Sequence, residues 1–166
     1  IMPSLVGSEM CIRDREKWDK CKVTFDEEIL DGRVCYGGLD LSSTTDITAF
    51  VLVFPPTEDD EHYYILPYFW LPEETLPLRV RRDHVPYDIW ERQGYLKTTE
   101  GNVVHYGFIE NFIDELGQKF HIKEIAFDRW GAVQMSQNLE GLGFTMVQFG
   151  QGYKDCLLYT SPSPRD

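Results

Sequence analysis

The sequence predicts a single α/β domain built on a mixed sheet, its elements ordered β-β-β-α-β-α-β. Two observations carry that expectation. Three short β-branched and aromatic runs, separated by polar turns, come first; two stretches with helical spacing then alternate with two further apolar runs. Length agrees, because 166 residues with 42% apolar content can enclose one hydrophobic core but not two comfortable ones.

Each element has its own signal. Glu16 to Arg33 is charged and weakly periodic, reading as a connector with Asp31-Gly32 as a turn before the first strand. Cys35 to Leu41 is a short apolar run containing Gly37-Gly38, Thr48 to Phe54 is ended by Pro55-Pro56, and Tyr63 to Leu71 is a third run. The turns between them, Ser42 to Ile47 and Thr57 to His62, are polar and short, so an antiparallel meander is the economical reading. Pro72 to Asn102 reads as an irregular insertion. Beyond it Phe108, Ile109, Phe112, Ile113 and Leu116 share one helical face, and Ile122 to Phe127 follows as a strand. Ala132 to Leu142 reads as a helix closed by Gly143, and Phe144 to Phe149 as the last strand.

In this order the first strand, antiparallel to the second, can take the fourth as a parallel neighbour through the helical crossover. Their C-terminal ends then lie side by side. Asp40 stands near the end of the first strand and Asp128 immediately follows the fourth, so two carboxylates far apart in sequence converge where open α/β sheets place their sites. Alone, Asp40 can simply end a strand and Asp128 can cap the helix that follows. Together they suit Mg²⁺ or Mn²⁺, hard cations that prefer carboxylate oxygens and can act as a pair on a phosphodiester.

Composition narrows the function classes. No apolar run approaches the roughly 20 residues needed to cross a bilayer, and the N-terminus lacks the pattern of a secretory signal, so neither membrane insertion nor export is expected. Four cysteines without a Cys-x-x-Cys or paired histidines argue against a zinc site or a disulfide framework. The formal charge of −12 is unfavourable for broad nucleic-acid contact, which needs clustered Lys and Arg. Any DNA contact is therefore expected to be local, metal-assisted or supplied elsewhere.

The two ends follow a different logic. Ser4 to Arg15 can be written in codons whose reverse complement, after dropping the final base and starting at the second, spells Cys156 to Asp166 residue for residue. That nucleotide string resembles a transposon-type sequencing adaptor. Residues 1–15 and 156–166 are accordingly expected to be adaptor-derived tails flanking an interrupted gene.

The segment Gly38-Leu39-Asp40-Leu41-Ser42-Ser43-Thr44-Thr45-Asp46-Ile47-Thr48-Ala49 resembles the opening strand and turn of the nuclease domain in phage terminase large subunits. Ile125-Ala126-Phe127-Asp128-Arg129-Trp130-Gly131-Ala132, with Leu139 and the turn Gly141-Leu142-Gly143-Phe144, is similar to that family's second acidic motif, and Gln148 to Gly152 to its next strand and loop. The likeness runs over nearly all of Arg33 to Lys154. It implies an RNase H-like fold truncated before its C-terminal helix, with Asp40 and Asp128 as catalytic metal ligands in a two-metal Mg²⁺ or Mn²⁺ site. It also implies a third acidic residue beyond Lys154, double-stranded DNA as substrate, portal protein and small terminase subunit as partners, and the host cytoplasm as location. The organisation expected from it is a linker at 16–33 leading from an upstream packaging ATPase, then a partial nuclease domain at 34–155. No Gly-x-x-x-x-Gly-Lys-Ser/Thr loop occurs, so no ATP site is expected here.

Secondary candidates each have a plainer role beside the functional one. Asp46 could touch metal, though an Asx-type hydrogen bond is the commoner use of such a turn residue. Glu110 could add a carboxylate, though acidic residues early in helices usually serve the helix dipole. Arg129, and the cluster Arg79, Arg81, Arg82 and His84, are candidate DNA contacts or solvated charges, while Trp70 and Trp90 read as packing for the insertion. Two other nucleases and two different classes compete. An actin-like ATPase or sugar kinase shares the Leu39 to Thr45 pattern, but lacks glycine at Ser42 or Ser43 and the later Asp-x-Gly turn. A transposase or a junction resolvase shares the metal chemistry, and a non-catalytic docking domain would retain only the fold.

Overall fold

Three apolar runs at the front of the domain fold into an antiparallel meander in the computed structural model, which describes residues 19–21, 24–42, 46–128 and 133–150. Strands β1 (Val34–Asp40), β2 (Thr48–Phe54) and β3 (Tyr64–Pro72) pair in sequence order, with Asp40 opposite Ala49 and Thr48 opposite Trp70. The burial of β2 alternates at every residue, the signature of a strand with one covered face.

The stretch from Pro72 to Asn102, expected to be irregular, is ordered. It holds helix α1 (Leu76–Asp83), helix α2 (Tyr87–Arg92) and strand β4 (Lys97–Thr99), which extends the sheet by pairing parallel to β3. Periodicity could not reveal these elements, because each helix is too short to repeat its pattern and a three-residue strand is defined by its partner alone.

Helix α3 (Tyr106–Lys119) follows, burying Ile109, Ile113 and Leu116 along one stripe. It leads into β5 (His121–Phe127), helix α4 (Val133–Gly141) and β6 (Met146–Gln148). The helix-closing turn contains Gly143 at φ 99°, a left-handed conformation that favours glycine. The sheet runs β4-β3-β2-β1-β5-β6, antiparallel from β1 to β3 and parallel elsewhere. This is the mixed sheet of the RNase H-like class.

One face of the sheet carries the core. Phe50, Leu52, Phe54 and Trp70 from the strands are fully buried, as are Ile109 and Ile113 from α3 and Leu139 from α4. Each such side chain contributes about 1.5–3 kcal/mol of transfer free energy. Phe112 of α3 meets Tyr68 and Trp70 edge-on, with ring centroids 4.9 and 5.4 Å apart. On the opposite face Tyr36, Ile65 and Val147 are exposed.

The described residues up to Asp31 belong to a compact unit of their own, and those from Gly32 onward to another. In the first, Asp26 accepts a hydrogen bond from the Glu28 N–H at 3.1 Å and so caps a one-turn 3-10 helix, Glu27–Leu30. Both tails read as adaptor-derived lie outside the described residues.

Candidate metal centre

Parallel pairing fixes where the two acidic motifs meet. β1 and β5 lie side by side with Leu39 opposite Phe127 as their last pair, so Asp40 and Asp128 occupy the next position on each strand. Neighbouring strands are about 4.8 Å apart, which puts the two backbones within reach of one ion. Strand alternation does the rest. Leu39 and Phe127 turn into the core, and Asp40 and Asp128 share the opposite face with Gly38 and Ala126.

On that face the two aspartates border a groove of about 280 Å³. Its floor is low because Gly38, Ala49 and Ala126 bring almost no side chain to it, and Phe149, just past β6, lines it as well. Asp40 is exposed and Asp128 half-buried. Among the described residues no group of three or more His, Cys, Asp or Glu is placed to hold a metal ion. Among the described residues the groove's lining offers two carboxylates and no thiol or imidazole, a chemistry that suits a hard divalent cation.

The remaining candidates stand elsewhere. Asp46 is exposed, and its backbone is what the structure uses: its N–H donates to Ser42 Oγ at 2.8 Å and its carbonyl accepts from Arg79 Nη2 at 3.3 Å. Glu110 does not line the groove; its Oε1 accepts a hydrogen bond from Asn138 Nδ2 at 2.9 Å and so links α3 to α4. Arg79 is buried, Arg81 is exposed, and Arg82 is clasped by the Asp83 carboxylate at 2.6 and 3.2 Å. That contact holds the Asp83 carboxyl below its ordinary range and raises the Arg82 guanidinium. His84 ends α1 at φ 55°. Arg129 lies outside the described residues.

Sequence reasoning overlooked the bracket around the β1–β2 turn. Thr48 Oγ1 donates to the Ser42 carbonyl and accepts from the Ser42 N–H, both at 3.1 Å. Its signal was available, since a hydroxyl residue on each side of a short turn commonly closes it through the backbone.

Comparison with known proteins bears on the same region. The family described as terminase large subunit, endonuclease domain, matches residues 4–157, a span that reaches into both segments read as adaptor-derived. The large terminase subunit of Enterobacteria phage HK97 is 39% identical over 143 residues, covering 85% of this chain. A crystal structure of the HK97 bacteriophage large terminase superposes with a TM-score of 0.71 at 38% identity, again over 85% of the chain. The chain spans only 27% and 29% of the lengths of these two relatives.

Proposed function

We propose a function from one premise: the chain belongs to the terminase large subunit endonuclease-domain family. Membership answers the actin-like, transposase and resolvase alternatives. In our reading the domain cleaves double-stranded DNA concatemers in a divalent-metal-dependent reaction, with Asp40 and Asp128 as the metal ligands. Residues 34–155 are then part of the nuclease, and 16–33 lead into it from a packaging ATPase. Portal protein and small terminase subunit are the partners of the parent assembly, in the host cytoplasm. Among the described residues no helix is long and apolar enough to cross a membrane.

The observation that carries this reading is the Leu39–Phe127 register, which sets two aspartates next to each other above a shallow groove. Bound there, Mg²⁺ or Mn²⁺ would activate a water and offset the negative charge of a phosphodiester. The chain's own residues supply the rest. Asp40 and Asp128 give hard oxygen donors on adjacent backbones. Gly38, Ala49 and Ala126 leave room for a phosphate backbone to approach the strand ends. Leu39 and Phe127, buried beneath, keep both strand ends from shifting.

Calorimetric titration with Mn²⁺ tests the site. The wild-type chain should bind the ion, and Asp40→Asn and Asp128→Asn should each weaken binding by at least about tenfold, because each removes a charged donor from a two-donor set. Unchanged affinity in both variants would move the site elsewhere.

A further inference from the structure

Resting on the metal reading above, we propose that Arg79 is a positioning residue for the candidate metal site: from α1 it ties down the turn that follows Asp40. Three observations meet here. Arg79 is only 3% exposed, and an ionised guanidinium is costly to bury unless its donors are met. One donor, Nη2, reaches the main-chain carbonyl of Asp46 at 3.3 Å, a contact between residues 33 positions apart.

The described ends of the turn are framed by hydroxyls. Asp46 N–H donates to Ser42 Oγ at 2.8 Å, and Ser42 is joined twice to Thr48 Oγ1 at 3.1 Å. Arg79 connects this frame to a different element. Placement is the third observation. Asp40 pairs with Ala49, and Thr48 with Trp70 near the end of β3, so α1, which follows β3, stands at the Asp40 end of the sheet.

The physical consequence concerns Asp40. It is the last residue of its strand, paired with Ala49 of β2 but beyond the last β1–β5 pair, so its position leans on the turn that begins beside it. A turn fixed in advance spares an incoming ion the entropy of ordering it. Arginine suits the role because its fork can meet a backbone carbonyl while other donors serve neighbours, which lysine does less well.

The test compares the wild-type chain with Arg79→Met, which keeps the apolar stem, and Arg79→Lys, which keeps the charge. Amide hydrogen exchange at Ser42 and Asp46 is read without metal, with Leu52 of the central strand reporting global stability. Mn²⁺ affinity is read by calorimetry. Arg79→Met should speed exchange at Ser42 and Asp46 about tenfold more than at Leu52. Mn²⁺ binding should weaken by about tenfold, with Arg79→Lys in between. Equal acceleration at all three amides, or unchanged Mn²⁺ affinity, would show a merely structural arginine and overturn the inference. If Arg79→Met does not fold, Arg79→Lys is judged by the same criteria. Mn²⁺ bound alike by wild type and Arg79→Met but not by Asp40→Asn defeats this inference alone; a wild type that binds no Mn²⁺ defeats the metal reading with it.

Discussion

Two adjacent glycines in β1 do opposite jobs, and the difference is one of facing. A Cβ on Gly37 would stand 3.0 Å from the Phe50 ring and 3.1 Å from Ile125 Cγ1, both fully buried side chains with nowhere to retreat. Gly38 has nothing within 4 Å. Gly37→Ala should therefore cost about 1–3 kcal/mol by overpacking, and Gly38→Ala should leave the melting temperature nearly unchanged. Thermal unfolding of both variants checks the contrast, which fails if they melt alike. At the other end of the sheet Asp60 is held well below the usual carboxylate range, chiefly by hydrogen bonds from His62, then by Arg33 at 3.1 Å and by Tyr64. A carboxyl depressed in the folded state contributes stability above its unfolded value of about 3.9, and that contribution is lost as pH falls through the folded value. Urea unfolding should show wild type losing stability below about pH 4 more steeply than Asp60→Asn. Parallel slopes would contradict it.

At the scale of elements, legibility followed the length of the pattern. β1 to β3 were readable as apolar runs of seven to nine residues between turn signals, and α3 because fourteen residues repeat a period of 3.6 long enough to be seen. The meeting of Asp40 and Asp128 was readable too, since a meander followed by a helical crossover leaves few sheet orders open. What stayed hidden depends on tertiary partners. β4 exists through its pairing with β3, and Arg79 is distinguished from Arg81 and Arg82 only by being buried. Glu110 shows the same limit, because nothing in its helical position announces that Asn138 will claim its carboxylate. The insertion is joined to the helical layer through aromatic contact: Phe112 of α3 packs on Tyr68 and Trp70 and takes Lys97 of β4 over its ring at 5.0 Å. Phe112→Ala should destabilise the domain by about 3 kcal/mol, the low end for a Phe truncation because the ring is only half-buried. A melting temperature within a degree of wild type would show that β4 and the insertion are anchored by other means.

For the whole molecule the deciding quantity is charge. With a net −12 the chain repels a DNA duplex at long range, and the attraction needed for cleavage must be confined to the site. Two aspartates without metal add to the repulsion; on the proposed reading, a bound divalent ion would reverse the local sign and make the groove a place where a phosphate is welcome. Among the described residues only these two carboxylates line the groove, and two-metal chemistry needs ligands that fix both ions against the scissile phosphate. Two donors leave a second ion under-coordinated, and a misplaced ion costs orders of magnitude in rate. We therefore expect the chain as it stands to cut supercoiled plasmid weakly or not at all with Mn²⁺, even though its family is that of an endonuclease domain. Any residual cutting should vanish in Asp40→Asn. It should also respond to salt in the opposite sense to a basic nuclease, with moderate ionic strength easing encounter by screening the repulsion. Robust cleavage abolished by Asp40→Asn would overturn the expectation of weakness while supporting the site, and cleavage indifferent to that substitution would count against the site itself.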